Sequence, residues 1–268
     1  MDKGRRIDIM GIVNLTDDSF YSRSRCTDAS VALKHVRRHI EEGASIIDFG
    51  ACSSRPGSMP IGPEEEWNRL KPALEAVRRE FPDVAISVDT YWSDVVQKVY
   101  DLVGDFIVND ISAGEDDPML LPVAGKLGLT YVAMHKRGTP QQMQSMTFYE
   151  DVTEEVLRYF ADFAEKAEYH GIREWILDPG FGFAKTVEQN YELMRNLNRF
   201  RHVGGLRKIL VGVSRKSMIY KPLGITPEES LTATQVVHLA ALQNGADILR
   251  VHDSAEAVRT LSLYRLLS

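Results

Sequence analysis

Along this chain, short apolar runs rich in β-branched residues alternate with longer stretches in which apolar residues recur every three or four positions. Eight short runs read as strands, at 7–15, 45–51, 85–90, 105–111, 129–135, 174–179, 208–214 and 248–253. The longer stretches read as helices, at 29–42, 64–81, 93–102, 151–170, 187–197, 227–244 and 255–267. Each strand therefore feeds a helix, which predicts a parallel sheet. Spread over 268 residues, eight such units take about 33 residues each, close to the size of one βαβ unit. No Ser/Gly linker or low-complexity segment interrupts them. The pattern predicts an α/β chain forming a single-domain (β/α)8 TIM barrel over residues 1–268, with a doubly wound open sheet as the alternative.

The polar residues decide between the two. Asn14, Ser54, Asp89, Asn109, His135, Asp178, Ser214 and His252 all lie at, or just beyond, the C-terminal ends of their strands. In a barrel those ends converge on one mouth, whereas in an open sheet they spread along a line. Such a concentration of polar groups favours the barrel and locates its active site.

Composition narrows the partners. The net charge of −6 comes from 38 acidic against 32 basic residues with no sustained basic run, so a nucleic-acid groove is excluded and any anion must be held by local cations. No apolar stretch reaches the roughly 20 residues that span a bilayer, and the N-terminal residues lead directly into a strand, so a cytoplasmic protein without membrane contact is expected. Two cysteines, Cys26 and Cys52, make no disulfide framework and fit a reducing compartment.

Several constellations carry chemistry. Asp178 precedes Pro179, which enforces an extended backbone, and Gly180 and Gly182, which permit close approach to a ligand. Asp89, Asn109 and Asp178 together suit the edge of an amino-oxo-pyrimidine, since a carboxylate accepts from two adjacent N–H groups while an amide both donates and accepts. Their oxygens would also suit a Mg²⁺ cage. Singly, Asp89 and still more Asp110 read as caps of the helix that follows. On the eighth strand Arg250 and His252 share a face and can reach one anion, where barrels commonly bind phosphate; otherwise Arg250 snorkels and His252 caps the last helix. The segment from Asn14 to Phe20 is rich in oxygen-bearing side chains that would hold Mg²⁺ near phosphates or form an Asx turn. No nucleophile elbow accompanies Ser19, Ser54 or Ser214, so covalent catalysis is not expected.

Taken in order, Met10-Gly11-Ile12-Val13-Asn14-Leu15-Thr16, Ser53-Ser54-Arg55-Pro56-Gly57, Ser87-Val88-Asp89-Thr90, Asn109-Asp110-Ile111-Ser112, Met134-His135, Arg137-Gly138-Thr139-Pro140, Asp178-Pro179-Gly180-Phe181-Gly182-Phe183, Ser214-Arg215-Lys216-Ser217 and Arg250-Val251-His252-Asp253 closely resemble the dihydropteroate synthases, over nearly the whole chain. The resemblance implies a transferase of folate biosynthesis that condenses 7,8-dihydropterin-6-ylmethyl diphosphate with 4-aminobenzoate, releasing pyrophosphate, with Mg²⁺. It implies that Asp89, Asn109, Asp178 and Lys216 hold the pterin, with Ser54 also at the pterin diphosphate. It implies that Asn14 helps hold Mg²⁺ on the diphosphate, that Arg250 and His252 bind the leaving group, and that Ser54, Arg55, Pro56, Phe181 and Ser217 frame 4-aminobenzoate. A sulfonamide target and a homodimer through the last helices, 227–244 and 255–267, are implied as well.

Departures from the family pattern lie in two loops. Thr-Pro-Asp-Ser-Phe-Ser-Asp-Gly-Gly reads here Thr16-Asp17-Asp18-Ser19-Phe20-Tyr21-Ser22-Arg23-Ser24, and Gly-Gly-Glu-Ser-Thr-Arg reads Gly50-Ala51-Cys52-Ser53-Ser54-Arg55. A pterin-dependent methyltransferase acting on a corrinoid protein would share the ring-binding Asp and Asn, but would have little use for Lys216, Arg250, His252 and the Ser-Arg-Pro-Gly loop together. A non-catalytic pterin-binding relative would have no need of Asn14 and Lys216.

Overall fold

The computed structural model describes residues 5–15, 25–52, 61–138 and 142–267. Eight parallel strands close into a barrel in chain order, and the last pairs with the first. They are β1 (Asp8–Asn14), β2 (Ile46–Gly50), β3 (Ala85–Asp89), β4 (Ile107–Asp110), β5 (Thr130–Met134), β6 (Trp175–Asp178), β7 (Lys208–Val211) and β8 (Ile248–Val251). Around them lie α1 (Arg25–Glu41), α2 (Pro63–Glu80), α3 (Ser93–Val103), α4 (Leu120–Leu127), α5 (Val152–Tyr169), α6 (Val187–Arg195), α7 (Ser217–Leu223), α8 (Leu231–Gln243) and α9 (Ser254–Leu267). Closure leaves no sheet edge to cover.

Two cores result, because side chains on a strand alternate between faces. Ile9, Ile47, Phe49, Val88, Val108, Tyr131, Leu177, Ile209 and Leu249 point outward into the main core shared with the helices. Met10, Ile46, Val132, Ile176, Leu210 and Ile248, with Ile107 against them, plug the barrel interior. Two residues further along, the inner face carries Ile12, Asp48, Asn109, Met134, Asp178 and Arg250, with Gly212 just past the end of β7. In that single step the barrel passes from a dry plug to a polar floor, and the floor is where chemistry becomes possible.

All eight expected strands are present, each shorter than its apolar run, so His135, Ser214 and His252 stand just beyond β5, β7 and β8 rather than in them. Two helices, α4 and α7, have no counterpart among the stretches of helical period in the sequence. They are short, α4 contains Pro122 and Gly125, and α7 contains Pro222, so neither shows an uninterrupted helical period. The expected helix over 227–244 begins with a 3-10 turn, Glu228–Ser230, before α8. Among the described residues, no helix is long and apolar enough to cross a membrane.

Candidate active site

Asp48, on β2, is the hub of the polar floor. It is fully buried, and its carboxylate accepts from the Ser87 hydroxyl, from Asn109 Nδ2 at 3.2 Å to each oxygen, and from Arg250 Nε at 2.7 Å. Arg250 Nη2 goes on to Asp89 Oδ2 at 2.9 Å. Strands β2, β3, β4 and β8 are thereby joined through side chains as well as through the backbone. A carboxylate can only accept, so Asn109 must turn its NH₂ group to Asp48, which leaves its carbonyl oxygen as the group available to a ligand. Burial and the neighbouring Asp48 push the Asp89 carboxyl up, while Arg250 pulls it down.

On the opposite side, Asp178 ends β6 and accepts from the Gly180 N–H at 2.8 Å. Burial raises its pKa, opposed chiefly by the ammonium of Lys216. Lys216, the residue before α7, donates to the Phe181 carbonyl at 2.8 Å and lies 4.8 Å from the centre of the Phe183 ring. Burial brings Lys216 down to about 8, opposed by Asp178. Space between these groups is made by glycine: a Cβ on Gly212 would stand 3.8 Å from Lys216 Nζ and 3.9 Å from Arg250 Cβ. A Cβ on Gly50 would lie 3.6 Å from both Asn14 Oδ1 and Asp89 Cβ, so Asn14 and Asp89 border the space over Gly50.

At the last strand end, His252 Nδ1 is 3.0 Å from Ser214 Oγ, which also accepts from the His252 backbone N–H. Burial, reinforced by Arg250, pushes His252 down to about 4, which leaves its imidazole uncharged at neutral pH. Arg250 neither snorkels nor stands alone, being bound to two carboxylates. Arg215 is committed to a two-pronged bond with Asp253, at 2.9 Å on each side. Neither Asp89 nor Asp110 caps the helix that follows, since the N-cap positions of α3 and α4 are Trp92 and Met119 with no side-chain cap; the Asp110 carboxylate points outward, accepting from Tyr131 Oη, from Ser112 N and Oγ and from Gly114 N, and it shapes the turn directly after β4.

The structure thus brings Asn14, Asp89, Asn109, Asp178, Lys216, Arg250 and His252 to one mouth, with Ser217 half-buried at the start of α7. Phe181 differs from expectation. Its ring is fully buried in the main core, and what it offers the mouth is the carbonyl that holds Lys216; the half-buried ring beside Lys216 is that of Phe183. Ser54, Arg55 and Pro56 lie outside the described residues, as does the segment 16–24. Asp48 is the hub that the sequence alone does not single out, its one local signal being a lone acid inside Ile46-Ile47-Asp48-Phe49, two residues on from an inward Ile.

Fold and site together define a barrel enzyme whose mouth gathers buried carboxylates and an amide beside the guanidinium of Arg250 and the amine of Lys216. Comparison with known proteins gives the family. Residues 10–252 match the model of the pterin binding enzymes. The dihydropteroate synthase of Escherichia coli K12 is 40% identical over 255 residues, covering 94% of this chain and 89% of that one. Among solved structures, the Yersinia pestis dihydropteroate synthase with a sulfonamide drug superposes with a TM-score of 0.90 at 34% identity, covering 100% of this chain and 96% of that one. The Clostridium difficile dihydropteroate synthase with pteroic acid gives 0.90 at 34%, covering 100% and 98%. The chain belongs to the dihydropteroate synthase family of pterin-binding enzymes.

Proposed function

We infer that this mouth condenses 7,8-dihydropterin-6-ylmethyl diphosphate with 4-aminobenzoate to give 7,8-dihydropteroate and pyrophosphate, a transferase step of folate biosynthesis. The observation that carries the reading is the paired geometry of the floor. Asp178, acceptor-only, suits the adjacent N–H groups of the pterin ring, while Asn109, with its NH₂ committed to Asp48, adds a second fixed acceptor. Lys216 donates to the ring carbonyl and Asp89 closes the set. The cation for the diphosphate, Arg250, stands next to the ring and not across the barrel, because it is bonded directly to Asp89. As charge develops on the leaving group, Arg250 and the uncharged imidazole of His252 hold it. The aniline nitrogen is unprotonated at neutral pH and already nucleophilic, so the site needs no strong general base.

Mg²⁺ fits this donor set in one way. Among the described residues no cluster of three or more His, Cys, Asp or Glu side chains would cage a metal, and Asn14 supplies one neutral oxygen at the space over Gly50. Asn14 is the described residue that would help hold Mg²⁺ on the diphosphate, where the ion would supply charge neutralisation for the leaving group. Ser54, Arg55, Pro56 and Ser217 are proposed to frame 4-aminobenzoate. A cytoplasmic homodimer completes the proposal: Val236 on α8 and Leu263, Leu266 and Leu267 on α9 are exposed apolar residues on the two last helices, and light scattering should give twice the chain mass.

Mixing the protein with both substrates and Mg²⁺ should release pyrophosphate and form dihydropteroate in equal amounts; no pyrophosphate would overturn the reading. Asp178→Asn is expected to cost roughly 2–4 kcal/mol of pterin affinity, since an amide presents a donor to a donor inside a buried site. Wild-type affinity by calorimetry would remove Asp178 from ring recognition. A sulfonamide should inhibit competitively, with extra 4-aminobenzoate restoring the rate; inhibition unaffected by 4-aminobenzoate would place the drug elsewhere.

A further inference from the structure

Lys185 follows the loop 179–184 and plays no part in the reading above, yet it is as buried as the site residues, with 7% of its surface exposed. Its ammonium lies 2.9 Å from His135 Nδ1 and 3.0 Å from each of the carbonyls of Gly180 and Phe183. Its three N–H groups are thereby all used, with the His135 carbonyl a fourth, longer acceptor at 3.5 Å. Burial pushes Lys185 down to about 7, opposed by Asp178, and holds the His135 imidazole well below its ordinary value. His135 is therefore neutral, and Nδ1 accepts with the proton on Nε2. The ring stands edge-on to Tyr159 with centroids 4.9 Å apart, so it cannot readily turn away.

The two carbonyls that Lys185 grips flank the one that matters at the mouth. Between Gly180 and Phe183 lies Phe181, whose carbonyl holds Lys216 at 2.8 Å. Gly180 N–H braces Asp178, and the Phe183 ring faces Lys216 Nζ. One face of the loop is held by Lys185 against the end of β5, and the other presents its groups to the pterin side. We propose that Lys185, locked to His135, is a positioning residue that sets Lys216 and Asp178 for the pterin ring by fixing the loop between them. The proposal rests on the pterin reading of the mouth. It also gives the buried imidazole of His135 its purpose.

The test is calorimetry of the dihydropterin diphosphate without 4-aminobenzoate, with kinetics and melting curves alongside. Lys185→Met keeps the side-chain volume and removes all three donors. Its Kd should rise about 10- to 100-fold, the loss of hydrogen bonds from a charged group. The KM for the diphosphate should rise in step, with kcat falling less than about threefold. In a Lys216→Met background the same substitution should weaken binding less than about threefold, because its effect passes through Lys216. A merely structural role would give equal factors in both backgrounds and overturn the proposal, as would an unchanged Kd. If Lys185→Met does not fold, His135→Leu cuts the tie from the β5 side. It should raise Kd several-fold, again only while Lys216 is present, whereas His135→Gln, which keeps an acceptor, should restore binding. Asp178→Asn separates the two claims: if it weakens binding and Lys185→Met does not, only the role of Lys185 fails; if neither does, the pterin reading fails.

Discussion

Arg250→Met is expected to destabilise the protein by about 3–5 kcal/mol, the usual cost of removing one partner from a buried ionic network. At this chain length the melting temperature should drop by about 10 °C. The reason is geometric: Arg250 is the shared counter-charge of Asp48 and Asp89, at 2.7 and 2.9 Å, and Asp48 is fully buried. Methionine fills the space without the charge. The loss should also depend on pH with a definite sign. Burial already raises the folded-state pKa of Asp89 against the pull of Arg250, so removing the guanidinium raises it further. An acid whose folded pKa exceeds its unfolded value, near 4, binds more protons when folded, so its folded state is favoured in acid and loses that advantage as pH rises. The deficit of the variant should therefore be smaller at pH 5 than at pH 8. Melting curves at the two pH values check this, and a deficit that is constant or larger in acid would show that Arg250 acts through packing.

The same network explains what could be read in the sequence. The eight strands were legible because strands of a closed parallel barrel are covered on both faces and spell nearly continuous apolar runs. The mouth was legible because Asn14, Asp89 and Asp178 end such runs and Asn109 stands one residue from its strand end, where a polar residue has no packing purpose. Asp48 escaped because it lies inside its run, and nothing local shows that Ser87, Asn109 and Arg250 converge on it from three other strands. Lys185 escaped for a related reason: a lysine after a glycine-rich loop reads as a solvated charge until β5 brings His135 beneath it. The choice between Phe181 and Phe183 is a matter of backbone rotation. Gly180 and Gly182 take φ of +70° and +84°, and those two turns send one ring into the core and leave the other beside Lys216. Residue types name the candidates for a loop of this kind, while its dihedral angles decide which of them faces out.

That loop is also where a single methyl group should do most damage. In Gly180→Ala the new Cβ would stand 1.9 Å from the carbonyl oxygen of His135, a contact with backbone that no rotamer change can relieve. Neither side can move freely. His135 N–H is bonded to Asp178 O at 3.0 Å, Gly180 N–H to Asp178 Oδ1 at 2.8 Å, and Gly180 O to Lys185. The left-handed φ of +70° adds a cost of about 1–2 kcal/mol for any residue with a Cβ. Together these should exceed about 4 kcal/mol, or displace the loop and weaken pterin binding by more than about 100-fold. Gly182→Ala is the matched control in the same loop. It has the same kind of φ, +84°, but its Cβ would meet only the flexible Cδ of Lys216, at 3.4 Å. Its cost should be confined to the backbone term, about 1–2 kcal/mol, with a modest loss of affinity as Lys216 shifts. Calorimetric pterin affinity and melting temperature, measured on both variants, separate the two contributions. If Gly180→Ala and Gly182→Ala prove equally mild, the loop is not seated on the end of β5, and neither Asp178 nor Lys216 owes its position to that contact.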